Sequence, residues 1–166
     1  MFYSRGSAAR KHMAMIHEFV LVSRDDYDLR SVSSFYERFK QLRRGTYVEL
    51  HDSLIHYVAD SLPWFKSYNP STRKAQSGLN FWGVTVIRRR GAQAAADVFE
   101  GWAALFEESP PTLRLTGHYY RADNREGYEK LKYDRDSTVR AFRRLSRMCR
   151  KASESQGRLF VLHFGI

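Results

Sequence analysis

One cysteine, Cys149, is all that the 166 residues contain, so no internal disulfide can staple the fold. A chain that needs no oxidation fits a reducing compartment, and the cytoplasm is the expected location. Long apolar runs are missing too. Phe19 to Val22 and Val84 to Ile87 are the longest, far short of the roughly 20 residues a bilayer demands. No membrane partner is expected. The opening MFYSRGSAARKHMAM carries Arg5, Arg10 and Lys11 but no apolar core segment, so it is not expected to be a secretory signal. Residues 1–15 are expected to be a disordered leader or tag-like segment, followed by a single domain over 16–166.

The usual signatures of catalysis are also lacking. There is no glycine-rich phosphate loop, no nucleophile elbow and no paired-cysteine motif. His51 and His56 stand five apart, about 140° around a helix, so they are not the i, i+4 pair of a zinc helix. His118 and His163 sit in strand-like stretches, where an imidazole serves as hydrogen-bonded filling more often than as a ligand. Cys149 falls on an apolar helical stripe beside Arg147, Arg150 and Lys151; a cysteine so placed behaves as a small hydrophobe rather than a thiolate nucleophile. No catalytic residue, metal or cofactor is expected.

What the chain has is positive charge. The net charge is +10, and residues 1–12 hold three cations and no acid, so +7 remains beyond them. A negative partner surface is implied, without its class. With 43% apolar and 14% aromatic residues, the chain can also bury one ordinary core.

The periodicities place the elements. HEFVLVS (17–23) reads as a strand buried on both faces. Leu29, Val32, Phe35, Tyr36, Phe39 and Leu42 recur at helical spacing between a capping Asp28 and Gly45. TYVEL is extended; Asp52 can cap a helix whose inner face is Leu54, Ile55, Val58 and Leu62, stopped by Pro63. The stretch PWFKSYNPSTRKAQSG is rich in breakers and reads as a long loop. AQAAADVFEGWAALFEES is a helix that turns Ala95, Val98, Phe99, Trp102 and Leu105 or Phe106 inward, before Pro110 and Pro111. TLRLTGHYYR and GYEKLKYDRD predict an antiparallel hairpin around ADNRE. Ser137 to Ser153 is a helix with the stripe Val139, Phe142, Leu145, Met148, Cys149 and Ala152. GRLFVLHFGI ends the chain as a strand. The order predicts an α+β fold: a mostly antiparallel sheet packed against about four helices.

Two stretches stand out as surfaces. In GLNFWGVTVIRRRG the apolar string is core, while glycines flank Phe81 and Trp82 and three arginines follow; for Trp82, core and interface are both open. On the last helix Arg140, Arg144, Arg147 and Lys151 follow one another at helical spacing, with Arg143 and Arg150 beside them. That strip is either a solvated face offset by Asp134, Asp136 or Glu154, or a contact surface.

Four segments, GLNFWGVTVI, LRLTGHYY, GYEKLKYDRD and LFVLHFGI, together resemble a family of small bacterial immunity proteins encoded beside polymorphic or contact-dependent growth inhibition toxins. The likeness runs in patches from about Tyr47 to Ile166. It implies a non-catalytic task, one-to-one binding of a cognate toxin domain. The candidate contacts are then Trp64, Phe65 and Tyr68; Trp82 with Arg88, Arg89 and Arg90; and Tyr119, Tyr120, Arg121 and Asp123 at the hairpin. LTG, the DRD helix start and LHFGI are expected to be structural. The alternative is a basic nucleic-acid-binding module, carried by the same cations and interleaved aromatics. An enzyme would have to use His118 or His163 with an acid that the sequence does not reveal.

Overall fold

The last strand of the chain is the middle of its sheet. The computed structural model describes residues 15–26, 47–122 and 125–166. Strands β1 (Ile16–Ser23), β2 (Tyr47–His51), β3 (Lys66–Asn69), β4 (Lys74–Ser77), β5 (Val84–Ile87) and β8 (Leu159–Phe164) form one sheet in the order β2-β1-β8-β5-β3-β4. Every pairing in it is antiparallel. β6 (Thr112–Ala122) and β7 (Arg125–Asp134) make a separate two-stranded ribbon. Among the described residues, helices α1 (Asp52–Tyr57), α2 (Arg89–Glu107) and α3 (Arg135–Glu154) join these sheets in an α+β fold, with 3-10 turns at Arg24–Asp26 and Ala59–Trp64. The amphipathic pattern from Leu29 to Leu42 and the leader up to residue 14 lie outside the described residues.

The unbroken apolar runs follow from burial on both sheet faces. Phe19, Val48, Leu50, Ile87 and Val161 face the helices, whereas Val20, Val22, Val84, Val86, Phe160, Leu162 and Phe164 form a second cluster on the opposite face. Over the first face, α2 and α3 pack side by side. Phe99 and Phe106 meet Phe142 at ring separations of 6.2 and 5.5 Å, and Phe99 also meets Phe19 and Phe65. The whole stripe read on α3, Val139 to Ala152, is buried, Cys149 included, and burial pushes its thiol pKa up, away from thiolate chemistry. Asp134 caps α3, its Oδ1 accepting the Ser137 amide at 2.8 Å.

Four expectations are corrected. PWFKSYNPSTRKAQSG is not a long loop: beyond Pro63 and Trp64, which end the 3-10 turn, it forms the β3–β4 hairpin, and Asn69, Pro70 and Ser71 gather at its turn. There Asn69 Oδ1 accepts the amides of Ser71 and Thr72, and Arg73 takes φ 56°. Asp52 does not cap α1; the cap is His51, whose Nδ1 accepts the Ser53 amide at 3.2 Å. The helix expected from Ala92 starts earlier, at Arg89, so that Arg89, Arg90 and Gly91 form its first turn. On that helix Phe106 faces the core and Leu105 faces out.

The fourth concerns Phe65, expected at the surface and fully buried, at 0% exposure, against Phe99. The extended backbone after the 3-10 turn sends successive side chains to opposite sides, so Phe65 goes in and Trp64 out. Phe65→Ala is expected to lower the unfolding free energy by about 3–5 kcal/mol, as for a core phenylalanine. A surface contact would cost under about 0.5 kcal/mol; urea unfolding of the two proteins decides between them.

Candidate functional site

The structure distributes the expected contacts over separate places. Trp64 projects from the 3-10 turn with 74% of its surface exposed, beside a cleft of about 390 Å³ lined mainly by Val98, Gly101, Trp102 and Leu105. Trp102 is pinned as the floor of that cleft. Its Nε1–H donates to Ser61 Oγ at 2.8 Å, and the Ser61 hydroxyl donates to the Val58 carbonyl at 2.8 Å. Leu105, 60% exposed, continues the apolar surface, and Tyr57 edges against Trp102. Rigidly held aromatics around an open apolar cleft are unusual on a charged surface and mark contact sites. Sequence reasoning found Trp64, but it turned Trp102 wholly inward, where it packs on the core and also lines the cleft, and left Leu105 and Phe106 as alternatives for the inner face; the signal was an excess of apolar residues over what one helical face needs.

Trp82 is exposed to 76%, settling it as surface rather than core. Its loop is held from behind by the end of the chain: the Gly165 and Ile166 amides donate to the carbonyls of Gly83 and Phe81 at 2.8 and 2.9 Å. Phe81 turns inward onto His56 and His17. Tyr119, Tyr120 and Arg121 lie on the outer half of the β6–β7 ribbon, beyond a register shift between Thr116 and Tyr119, and Tyr119 packs edge-on against Tyr128. Asp123 lies outside the described residues.

The cations divide. Arg143 makes a two-pronged contact with Glu107 and also reaches Glu100, and Arg150 reaches Asp97, so these two tie α3 to α2. Exposed pairs of this kind add little stability. Arg140, Arg144 and Arg147 instead line a cleft of about 470 Å³ against Tyr47, Val48 and Glu49, and among the described residues no carboxylate lies within ion-pair distance of them. Lys151, exposed one turn on, is not part of that cleft. Tyr68, Arg88, Arg89 and Arg90 are brought together in another cleft, with Lys66.

A buried polar chain was missed except for His163. His17 and His163 are both fully buried, stacked nearly parallel with ring centroids 5.0 Å apart, and joined from His17 Nδ1 to His163 Nε2 at 2.8 Å. The Asp52 carboxylate can only accept, so His17 Nε2–H donates to it at 2.9 Å. Neutral His17 then offers Nδ1 as an acceptor, His163 Nε2–H donates to it, and His163 Nδ1 accepts from the Thr85 hydroxyl at 3.3 Å. Thr85 Oγ1 in turn accepts the Asn80 amide at 2.7 Å. All four ring nitrogens are occupied, leaving no lone pair on this pair for a substrate. At the outer end His56 approaches Asp52 at 3.4 Å and meets the exposed His118 edge-on. The sequence signal was His163 in LFVLHF and Thr85 in VTVI, each the single polar residue of an apolar strand, which demands an internal partner.

Among the described residues, no group of three or more His, Cys, Asp or Glu is arranged to hold a metal ion, and no helix is long and apolar enough to cross a membrane. Compared with protein-family models, curated proteins and solved structures, the chain matches none.

The buried imidazoles make stability depend on pH. Burial lowers the His17 pKa, against the pull of Asp52, and lowers that of His163 well below its ordinary value, with His17 adding to the effect. Below about pH 6.5 the unfolded chain therefore binds more protons than the folded one, so the stability is complete above that pH and is lost as pH falls through it. The expected slope is up to about 1.4 kcal/mol per pH unit for each imidazole. Urea unfolding from about pH 8 to pH 5 measures it, and a flat wild-type profile would contradict the assignment.

Proposed function

We propose that this chain is an immunity-type binding protein that neutralises a bacterial toxin domain by occupying its surface, with no bond-making of its own. The observation that carries the proposal is Trp64. A tryptophan held three-quarters exposed at the mouth of an apolar cleft, on a chain with a +10 charge, costs solubility unless a partner covers it. Trp82 and the tyrosines of the ribbon repeat the pattern of large rings mounted outward on ordered backbone. Such rings supply contact area at low conformational cost. The four-segment resemblance to contact-dependent growth inhibition immunity proteins supplies the class of partner, a cognate toxin C-terminal domain. Of the candidate contacts, Trp64, Tyr68, Trp82, the three arginines, Tyr119, Tyr120 and Arg121 stand at the surface or its clefts, and Phe65 does not.

Co-purification and calorimetry with the toxin domain encoded beside this gene test the proposal: a stable one-to-one complex at micromolar concentration is expected, and its absence counts against it. In that complex Trp64→Ala should cost about 2 kcal/mol or more of binding, as for an interface anchor. The thermal midpoint of the free protein should barely move.

One observation favours a second reading. Arg140, Arg144 and Arg147 lack carboxylate partners among the described residues, as a phosphate-binding strip would. Nucleic-acid binding through them would fall steeply with added salt, and Arg144→Ala would lower the slope of log affinity against log salt by about 1. A flat gel-shift titration at low salt removes this alternative.

A further inference from the structure

The cleft between β3 and the turn from β5 into α2 gathers four cations where local rules would place none. Lys66, Arg88, Arg89 and Arg90 wall a space of about 410 Å³, together with Tyr68 and Gly91. Among the described residues, no carboxylate lies within ion-pair distance of any of the four cations. Their charges repel one another, and the first turn of α2 holds no acidic residue to offset them. Arg88 stands at the cap position without a side-chain cap bond. Arg89 adopts φ 52°, a conformation that costs a non-glycine residue free energy. Adverse choices concentrated at one spot, in an otherwise consistent fold, point to use.

The cleft is also built. A Cβ on Gly91 would fall 1.9 Å from the Lys66 carbonyl oxygen, so only glycine lets the start of α2 come against β3 and bring the arginines beside Lys66. The Arg88 guanidinium lies 5.2 Å from the centre of the Tyr68 ring, which orients it.

We infer that this cleft receives a cluster of carboxylates from an acidic segment of the partner protein. The inference rests on the toxin-neutralising proposal and adds the chemistry of the partner's face. Carboxylates match guanidinium forks two by two. Nucleic acid fits less well: single strands need open rings to stack on and a groove to follow, whereas the Tyr68 ring already carries Arg88 and the space is a pocket-sized cleft. The second basic cleft is lined from α3 and β2 and shares no lining residue with this one.

The test uses the full chain and two charge-matched double variants, R88Q/R90Q in this cleft and R144Q/R147Q on α3, each titrated with hexaglutamate and with a thymidine hexanucleotide at low salt. Saturable hexaglutamate binding is expected, weakened about tenfold or more by R88Q/R90Q, the loss of strong charge-assisted bonds, and less than about twofold by R144Q/R147Q. Because the cations repel in the free protein, R88Q/R90Q should melt no lower than wild type; a lower melting point would mean that they are structural and would overturn the inference. Equal weakening by the two double variants would reduce the effect to net charge and also overturn it. So would absence of saturable hexaglutamate binding, or tighter binding of the hexanucleotide through Arg88 and Arg90. The neighbouring toxin domain separates the two proposals. If it binds wild type and R88Q/R90Q equally, the cleft assignment falls and the toxin proposal stands; if it binds neither while hexaglutamate binding meets expectation, the reverse holds.

Discussion

A strand buried on both faces can keep a polar side chain only if every hydrogen bond of that side chain is satisfied inside. β8 is such a strand, and His163 is its one polar residue. The requirement ties three elements to β8: β5 through Thr85, β1 through His17, and α1 through Asp52. A shift of one residue in either pairing would turn His163 or its partners to the opposite face and strand them among valines and phenylalanines. The register of the sheet centre is thus specified by polarity as much as by shape, since an orphaned buried imidazole would cost more than a misfitted methyl group. The same bonds hold the start of α1, and with it the 3-10 turn that presents Trp64.

Much of this architecture is legible in the sequence wherever one face of an element does one job. The stripe on α3 is buried as its spacing demands, and the Asp134 cap is where the DRD segment puts it. The β6–β7 ribbon appears where two alternating segments flank ADNRE. Legibility fails where local chemistry serves a purpose other than the obvious one. Pro70, Ser71 and Asn69 read as loop, yet they build one tight turn between two short strands. Asp52 carries the best capping side chain near α1, but the buried His17 claims it, and His51 caps instead. The candidate site is legible only as residue types: Trp64, Trp82 and the arginine triplet. Their grouping depends on the sheet order, which no periodicity reveals.

The charge is organised by helix packing rather than spread evenly. On α3, the arginines nearest α2 find Glu100, Glu107 and Asp97, and those facing β2 do not. A run that looks uniform in sequence therefore splits into a structural seam and an exposed strip. The Glu107 carboxyl shows the difference, held below its ordinary pKa chiefly by its hydrogen bond to Arg143. The α3 strip and the β3–α2 cleft are places where several cations line one space with no carboxylate in ion-pair reach among the described residues.

Separating the aromatic surfaces from the cationic clefts has a consequence for selectivity. Apolar contact area, as at Trp64, Trp102 and Leu105, holds a partner once docked but discriminates poorly among partners, because any complementary apolar surface gains by covering it. Unpaired arginines act in the other direction. A partner that covers them without bringing carboxylates must desolvate them for nothing, a cost of several kcal/mol for buried unpaired charge. A binder with rings in one place and uncompensated cations in another therefore rejects apolar but neutral competitors more strongly than it prefers acidic ones. On the toxin-binding reading proposed above, the repulsive element sets the specificity, and the adverse placement of Arg88, Arg89 and Arg90 in the free protein is what that selectivity costs.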